Sequence, residues 1–204
     1  MNKPEELRKI KEDMENDKSL PLVKRPEDVI PGDGNCDSEI VFIGEAGGYH
    51  ESIQRKPFVG NAGMLLNKLL ASINLPRESV YITNMVKTRP PENRDPLPEE
   101  LAAYSRYLDR ELEVIKPKVV VTLGRFSMAK FLPNARISGV HGKKFEVNWN
   151  GKNILVVPMY HPAAALRNGA VMNEIKNDFL KLPRYLKEGE KKEPEVKAEQ
   201  SELF

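Results

Sequence analysis

Four short β-branched runs recur along the chain, and each is followed by a loop and then by a stretch with helical period. The runs are EIVFI at residues 39–43, VYIT at 80–83, KVVVTL at 118–123 and NILVVP at 153–158. Near-continuous apolar character over four to six residues suits strands buried on both faces. Leu65, Leu66, Leu69, Leu70 and Ile73 make one apolar helical face beginning near Asn61. Leu101, Tyr104, Leu108, Leu112 and Ile115 make another over about residues 98–115. A short helix is expected between Gly124 and about Leu132, and a last one over roughly residues 172–185. Residues 137–149 read as a hairpin or irregular β. This alternation predicts an α/β fold, a three-layer α/β/α sandwich around a central, mostly parallel four-stranded sheet.

The 204 residues suffice for one domain with a substantial core. Residues 1–18 read as a charged amphipathic helix with Leu7, Ile10 and Met14 on one stripe. From Lys187 onward Lys and Glu dominate, so the expected domain covers residues 1–187 and a disordered charged tail covers 188–204. No apolar run approaches the ~20 residues of a membrane helix, and the charged N-terminus has no apolar signal region. The single cysteine, Cys36, excludes an intrachain disulfide and a four-cysteine metal site. No histidines stand at metal-ligand spacing, so no catalytic metal is expected. A cytoplasmic protein follows. The formal net charge of +2 does not by itself point to nucleic acid, so the distribution of charge must carry that argument.

In a parallel sheet, sites gather at the carboxyl ends of the strands. Three loops follow strands there: residues 44–60, 84–98 and 159–167. The first holds four glycines, with Gly44, Glu45, Ala46, Glu51 and Phe58 as its candidate contacts. Its glycines let backbone approach a ligand, its carboxylates offer polar contacts and Phe58 offers a stacking face. It lacks the glycine spacing of dinucleotide loops and the Lys-Ser/Thr of phosphate loops. The second loop sets Asn84 at a strand end, ahead of Lys87, Arg89 and Arg94 on a segment with four prolines. Clustered cations on a stiff segment suit phosphate contacts, though a solvated basic loop reads the same way. In the third, His161 is held by Pro162, placed to donate to a developing anion or to cap a helix end.

Taken together, GEAGGYHES (44–52), PFVGNAGMLL (57–66), YITNMVKTRPPENR (81–94) and HPAAALR (161–167) resemble the uracil-DNA glycosylase superfamily. Within it the likeness is to family 4, the thermostable archaeal and bacterial type, over about residues 20–185. The resemblance implies hydrolysis of the N-glycosidic bond of flipped-out deoxyuridine in DNA, releasing uracil and leaving an abasic site, with no lyase step. It implies a monomer acting in a prokaryotic, nucleoid-associated setting. Phe58 matches the aromatic on the uracil face and Asn84 the reader of its Watson–Crick edge. His161 matches the histidine near uracil O2. Glu45 is the candidate for positioning water, since the neighbouring Ala46 stands where the most active branch has an Asp. Glu51 matches a residue at the wall facing uracil C5. Arg89, Asn93 and Arg94, with Lys87, would meet phosphates, and Arg167 with residues 163–168 would press into the minor groove.

Three departures stand out. The family's four cluster cysteines fall at Asp17, Leu20, Thr88 and Tyr104, none of them a thiol. An iron–sulfur cluster is therefore expected to be absent, with Leu20 and Tyr104 packing in its place beside the N-terminal helix. Gly47 replaces a proline, which predicts a more mobile loop, and Ser52 replaces a carboxylate. The last two changes keep open a glycosylase for hypoxanthine or xanthine. A damaged-DNA-binding protein without turnover and a metabolite-binding α/β protein are further readings. At the C-terminus, Gln200, Leu203 and Phe204 resemble the start of a sliding-clamp-binding peptide.

Overall fold

A computed structural model describes residues 2–190 of the chain. The elements in order are α1 (Lys3–Asn16), β1 (Asp33–Gly34), β2 (Ile40–Gly44), α2 (Tyr49–Gln54), α3 (Asn61–Ser72), β3 (Tyr81–Asn84) and α4 (Pro98–Ile115). There follow β4 (Val119–Leu123), α5 (Arg125–Phe131), α6 (Ile137–Val140), β5 (Phe145–Trp149), β6 (Lys152–Met159), α7 (Pro162–Arg167) and α8 (Gly169–Glu190). The four expected runs are β2, β3, β4 and β6, all parallel neighbours.

The sheet has six strands, in the order β1-β3-β2-β4-β6-β5, which corrects the expectation of four. Both additional strands are antiparallel edges. β1 is two residues long, below what periodicity can register. β5 forms a hairpin with β6 through Asn150 and Gly151, whose φ of 49° and 78° make a type I′ turn. Its half-buried side chains alternate with exposed ones, the pattern of an edge strand covered on one face. Residues 137–140, expected as β, are the short helix α6 instead.

Successive strand residues point to opposite faces, and two apolar layers result. Phe42, Ile82, Val121 and Val157 face Leu66 and Leu70 of α3 and Ile175, Phe179 and Leu182 of α8. Val41, Ile43, Val120 and Val156 face Leu108, Leu112 and Ile115 of α4 and Phe131 of α5. These layers make the α/β/α sandwich. Among the described residues no helix is long and apolar enough to cross a membrane. α8 runs from Gly169 to Glu190, past the expected domain boundary at 187.

A third apolar cluster lies outside the sandwich. Asn2 accepts from the Glu5 amide at 3.0 Å while the Asn2 amide donates back to the Glu5 carboxylate, and this capping box starts α1. Ile10 and Met14 of α1 then pack with Leu20, Val29, Val86, Tyr104 and Tyr107. The Tyr104 hydroxyl donates to Pro21 O at 2.7 Å. Asp17 accepts from the Ser19 hydroxyl at 2.6 Å, from the Tyr107 hydroxyl at 2.6 Å and from Arg106, and these contacts hold its carboxyl down at about 2. Leu20 and Tyr104 thus pack beside the N-terminal helix as expected.

Candidate active site

The three loops meet at the carboxyl edge of β2, β3 and β6. β2 and β3 keep their register to the last residue, which sets Gly44 opposite Asn84. The backbone then continues the pairing into the loops: Met85 N donates to Gly44 O at 3.0 Å, Val86 N to Glu45 O at 2.9 Å, and Gly47 N to Thr88 O at 3.1 Å. Gly47, expected to loosen its loop, is instead buried and tied to the second loop through an N–H that a proline lacks. Residues 49–54, read as loop, form α2, and residues 162–167 form α7.

A cavity of about 330 Å³ opens here, lined among others by Glu45, Glu51, Phe58, Asn93, His161 and Arg167. A larger apolar groove of about 760 Å³ between α3 and α8 holds none of the expected site residues. Phe58 is buried with φ at 54°, a left-handed conformation that costs a non-glycine residue roughly 1 kcal/mol or more. Two side chains hold it there. The Glu51 carboxylate accepts from Val59 N at 2.9 Å and Gly60 N at 2.8 Å, and Arg77 donates to Phe58 O at 3.0 Å and Pro57 O at 2.6 Å. Arg77 was invisible in the sequence, because nothing local distinguishes it from a solvated arginine. Glu51 lines the cavity as expected, and it is also the latch on the Phe58 corner.

The Phe58 ring stacks on the His161 imidazole, with centroids 5.5 Å apart and planes at 29°. His161 caps α7, its Nδ1 accepting from Ala163 N at 3.1 Å. An amide can only donate, so Nδ1 carries no proton and the neutral ring's proton sits on Nε2. Burial drives the imidazole down to about 4, against the opposing pull of Glu51 and with Arg167 assisting. The donor at Nε2 is therefore a neutral N–H across the physiological range.

Asn84 is 2% exposed and lies behind Phe58 rather than on the open cavity. A side chain on Gly44 would reach within 2.4 Å of Asn84 Oδ1 and 2.5 Å of the Phe58 ring, so only glycine lets these two groups converge. Asn84 Oδ1 has no hydrogen-bond partner within the protein. A buried amide oxygen left this way costs about 1–3 kcal/mol, which a ligand N–H would recover. Glu45 is half-buried, and desolvation with the nearby Asp95 charge raises its carboxyl to about 7, opposed by Arg125.

The expected cations divide. Lys87 has no exposed surface: its ammonium pairs with Glu111 and Thr83 beneath the site, so it is not available to a phosphate. Burial lowers its pKa and the Glu111 charge opposes this. The reason lies 24 residues away, in the carboxylate that α4 brings under β3. Arg94 is committed to Glu100 through two bonds of 2.9 and 2.6 Å. Arg89 reaches Asn93 Oδ1 with its Nε at 2.8 Å, and Arg167 closes α7 at the cavity wall.

Residues 31–186 match the family model described as the uracil DNA glycosylase superfamily, and the chain belongs to that superfamily. The chain is similar to the type-4 uracil-DNA glycosylase of Archaeoglobus fulgidus, 49% identical over 79% of this chain and 83% of that protein. The type-4 uracil-DNA glycosylase of Saccharolobus solfataricus is 46% identical over 81% and 79% of the two chains. That of Thermotoga maritima is 41% identical over 79% and 83%.

Proposed function

We propose that the protein is a DNA-repair uracil-DNA glycosylase, hydrolysing the bond between C1′ of deoxyuridine and N1 of uracil. The observation that carries this reading is the pairing of Phe58 with His161 at the cavity, with the buried, unpartnered Asn84 Oδ1 next to Phe58, in a chain of this superfamily. The base leaves the duplex at a cost of a few kcal/mol and stacks on Phe58. Asn84 accepts from uracil N3–H through Oδ1 and donates to O4. Cytosine carries the opposite pattern and would leave buried groups unpaired, which rejects it.

As the C1′–N1 bond breaks, its electron pair passes to the base and spreads onto O2. The neutral Nε2–H of His161 donates there, and losing such a donor typically costs ~10²–10³ in rate. Glu45 in its ionised form orients water toward C1′ and takes the proton as the new C–O bond forms. The proton held by Glu45 then passes through solvent to the uracil anion, and the products are free uracil and an abasic site. Arg89 and Arg167, with Asn93, grip the backbone, so affinity falls as salt rises. Glu51 holds the wall where a thymine methyl would enter.

The positions of the family's cluster cysteines do not fit an iron–sulfur cluster. Asp17, Leu20, Thr88 and Tyr104 supply no thiolate. Among the described residues, no group of three or more His, Cys, Asp or Glu could hold a metal ion. The reading is a cofactor-free enzyme whose third apolar cluster occupies that corner. Iron analysis of purified protein tests it: stoichiometric iron would overturn it.

Residues 200–204 lie outside the described residues. Gln200, Leu203 and Phe204 support docking to a sliding clamp, and deleting residues 199–204 should abolish clamp binding. Unchanged binding would sink that reading.

The deciding experiment is uracil release from a labelled duplex carrying U opposite G, for wild type, Asn84→Ala and His161→Ala. Release by wild type with loss in both variants is expected. No release by wild type would overturn the assignment.

A further inference from the structure

Beside the cavity stands a second aromatic that nothing in the fold requires. Tyr49 is 56% exposed and Ile53, one turn along α2, is 63% exposed. The Arg89 guanidinium lies over the Tyr49 ring, 5.2 Å from its centroid. His50 meets the same ring edge-on, at 5.4 Å and 78°. Arg89 is itself held from behind by Asn93 Oδ1, which leaves its terminal nitrogens for a phosphate. The pair is thus braced by Asn93 on one side and His50 on the other, although it stands at the surface.

Its place is set by the two loops that carry it. Tyr49 follows Gly48, and Arg89 precedes Pro90; Gly48, Pro90 and Asn93 all line the cavity. The ring thus stands on the rim formed by the first and second loops. The rim contributed by α7 carries Ala163, Ala164 and Arg167, with Leu166 49% exposed beside them. A strand that delivers one base into the cavity must pass its neighbours over these rims.

We infer that Tyr49 and Arg89 form a second stacking platform, which takes the nucleobase next to the extruded nucleotide while Arg89 meets the intervening phosphate. This rests on the glycosylase reading above. An aromatic face accepts any base, so the platform is indifferent to sequence. Flanked by a guanidinium, it combines stacking with charge at one point on the strand. The extruded base loses its stacking neighbours, and the platform gives one of those neighbours a new partner.

The test is a double-mutant cycle on binding. Oligonucleotides carry a non-hydrolysable 2′-fluoro-deoxyuridine, with the adjacent nucleotide on the 5′ or the 3′ side either intact or replaced by an abasic spacer. Affinities are measured for wild type, Tyr49→Ala and Tyr49→Phe. Removing the base on one side should weaken wild-type binding about tenfold, and Tyr49→Ala should do the same. The two together should cost little more than either alone, because both delete one contact. Tyr49→Phe should retain the wild-type response. Additive losses, or no loss with a spacer on either side, would overturn the inference. Uracil release by wild type is scored separately, so failure of the glycosylase reading is told apart from failure of the platform.

Discussion

Asn84 Oδ1 and the Phe58 ring converge on the same small space, the one a side chain on Gly44 would fill. The positions of Asn84 and Phe58, proposed above to read the base edge and to stack on its face, are therefore set by one glycine at the end of a central strand. Gly44→Ala should push both outward. Overpacking of this kind costs about 1–3 kcal/mol in stability. Uracil release should fall by about 100-fold or more, since reacting groups displaced by an ångström lose on that scale. Single-turnover kinetics beside a urea melt would separate the two effects. A variant destabilised but fully active would show that the convergence is not needed.

Glu45, raised to about 7, predicts the pH profile. If the ionised form is required, the single-turnover rate should climb tenfold per pH unit below about 7 and level off above it. His161, at about 4, stays neutral from pH 5 upward and adds no descending limb. Asp95→Asn removes a charge that raises Glu45, so the midpoint should move to lower pH. A profile flat from pH 5 to 9 would remove Glu45 from the chemistry.

The same carboxyl makes a stability prediction of known sign. Its folded pKa of about 7 lies above the ordinary 4.5, so the folded state holds more protons between those values. Glu45 therefore contributes stability that is lost as pH rises from about 4.5 to about 7, while His161, held at about 4, contributes the opposite trend, so the sign is read from the difference between wild type and Glu45→Gln. Glu45→Gln should be more stable than wild type at pH 8 by about 1 kcal/mol, allowing for the partial solvation of the group. The gain should vanish at pH 4. Thermal melts at the two pH values read this directly, and Glu45→Gln should lose activity while gaining stability.

Beneath the site, Lys87 and Glu111 are a fully buried pair. Lys87→Met leaves the Glu111 carboxylate without its cation and should cost about 3–5 kcal/mol. Lys87→Met with Glu111→Leu removes both charges and should recover much of that loss. Urea denaturation of the three variants gives the coupling. An additive double variant would show that the two side chains act independently.

Much of the sheet was legible because its inner strands are buried on both faces, which leaves uninterrupted apolar runs such as VVVTL in β4. β5 was harder to read. Its side chains are half-buried and exposed in alternation, and its clearest signal is the Asn150-Gly151 turn rather than its own residues. The candidate site divides the same way. Phe58, Asn84 and His161 lie at strand ends or in the loops that follow, where position along the chain already implies convergence. Lys87 lies in the same loop and looks equally available, but its environment is made by Glu111 on another element. Arg77 fails for a similar reason: its partners are the carbonyls of Pro57 and Phe58, about twenty residues upstream. Local pattern reports which way a segment faces, and it is silent about a charge whose partner arrives from elsewhere.

The packing of α1 against α4 bears on how the chain is made. Ile10 and Met14 find Tyr104 and Tyr107 across about ninety residues of sequence. At a synthesis rate of about 5–20 residues per second, the first helix waits roughly five to twenty seconds for the surface that covers it. During that interval its apolar stripe is open to chaperones and to other nascent chains. α1 is thus made well before the helix that covers it. A truncated product released before α4 has emerged would carry that stripe uncovered, marking itself as unfinished to any quality-control machinery that binds exposed apolar helices.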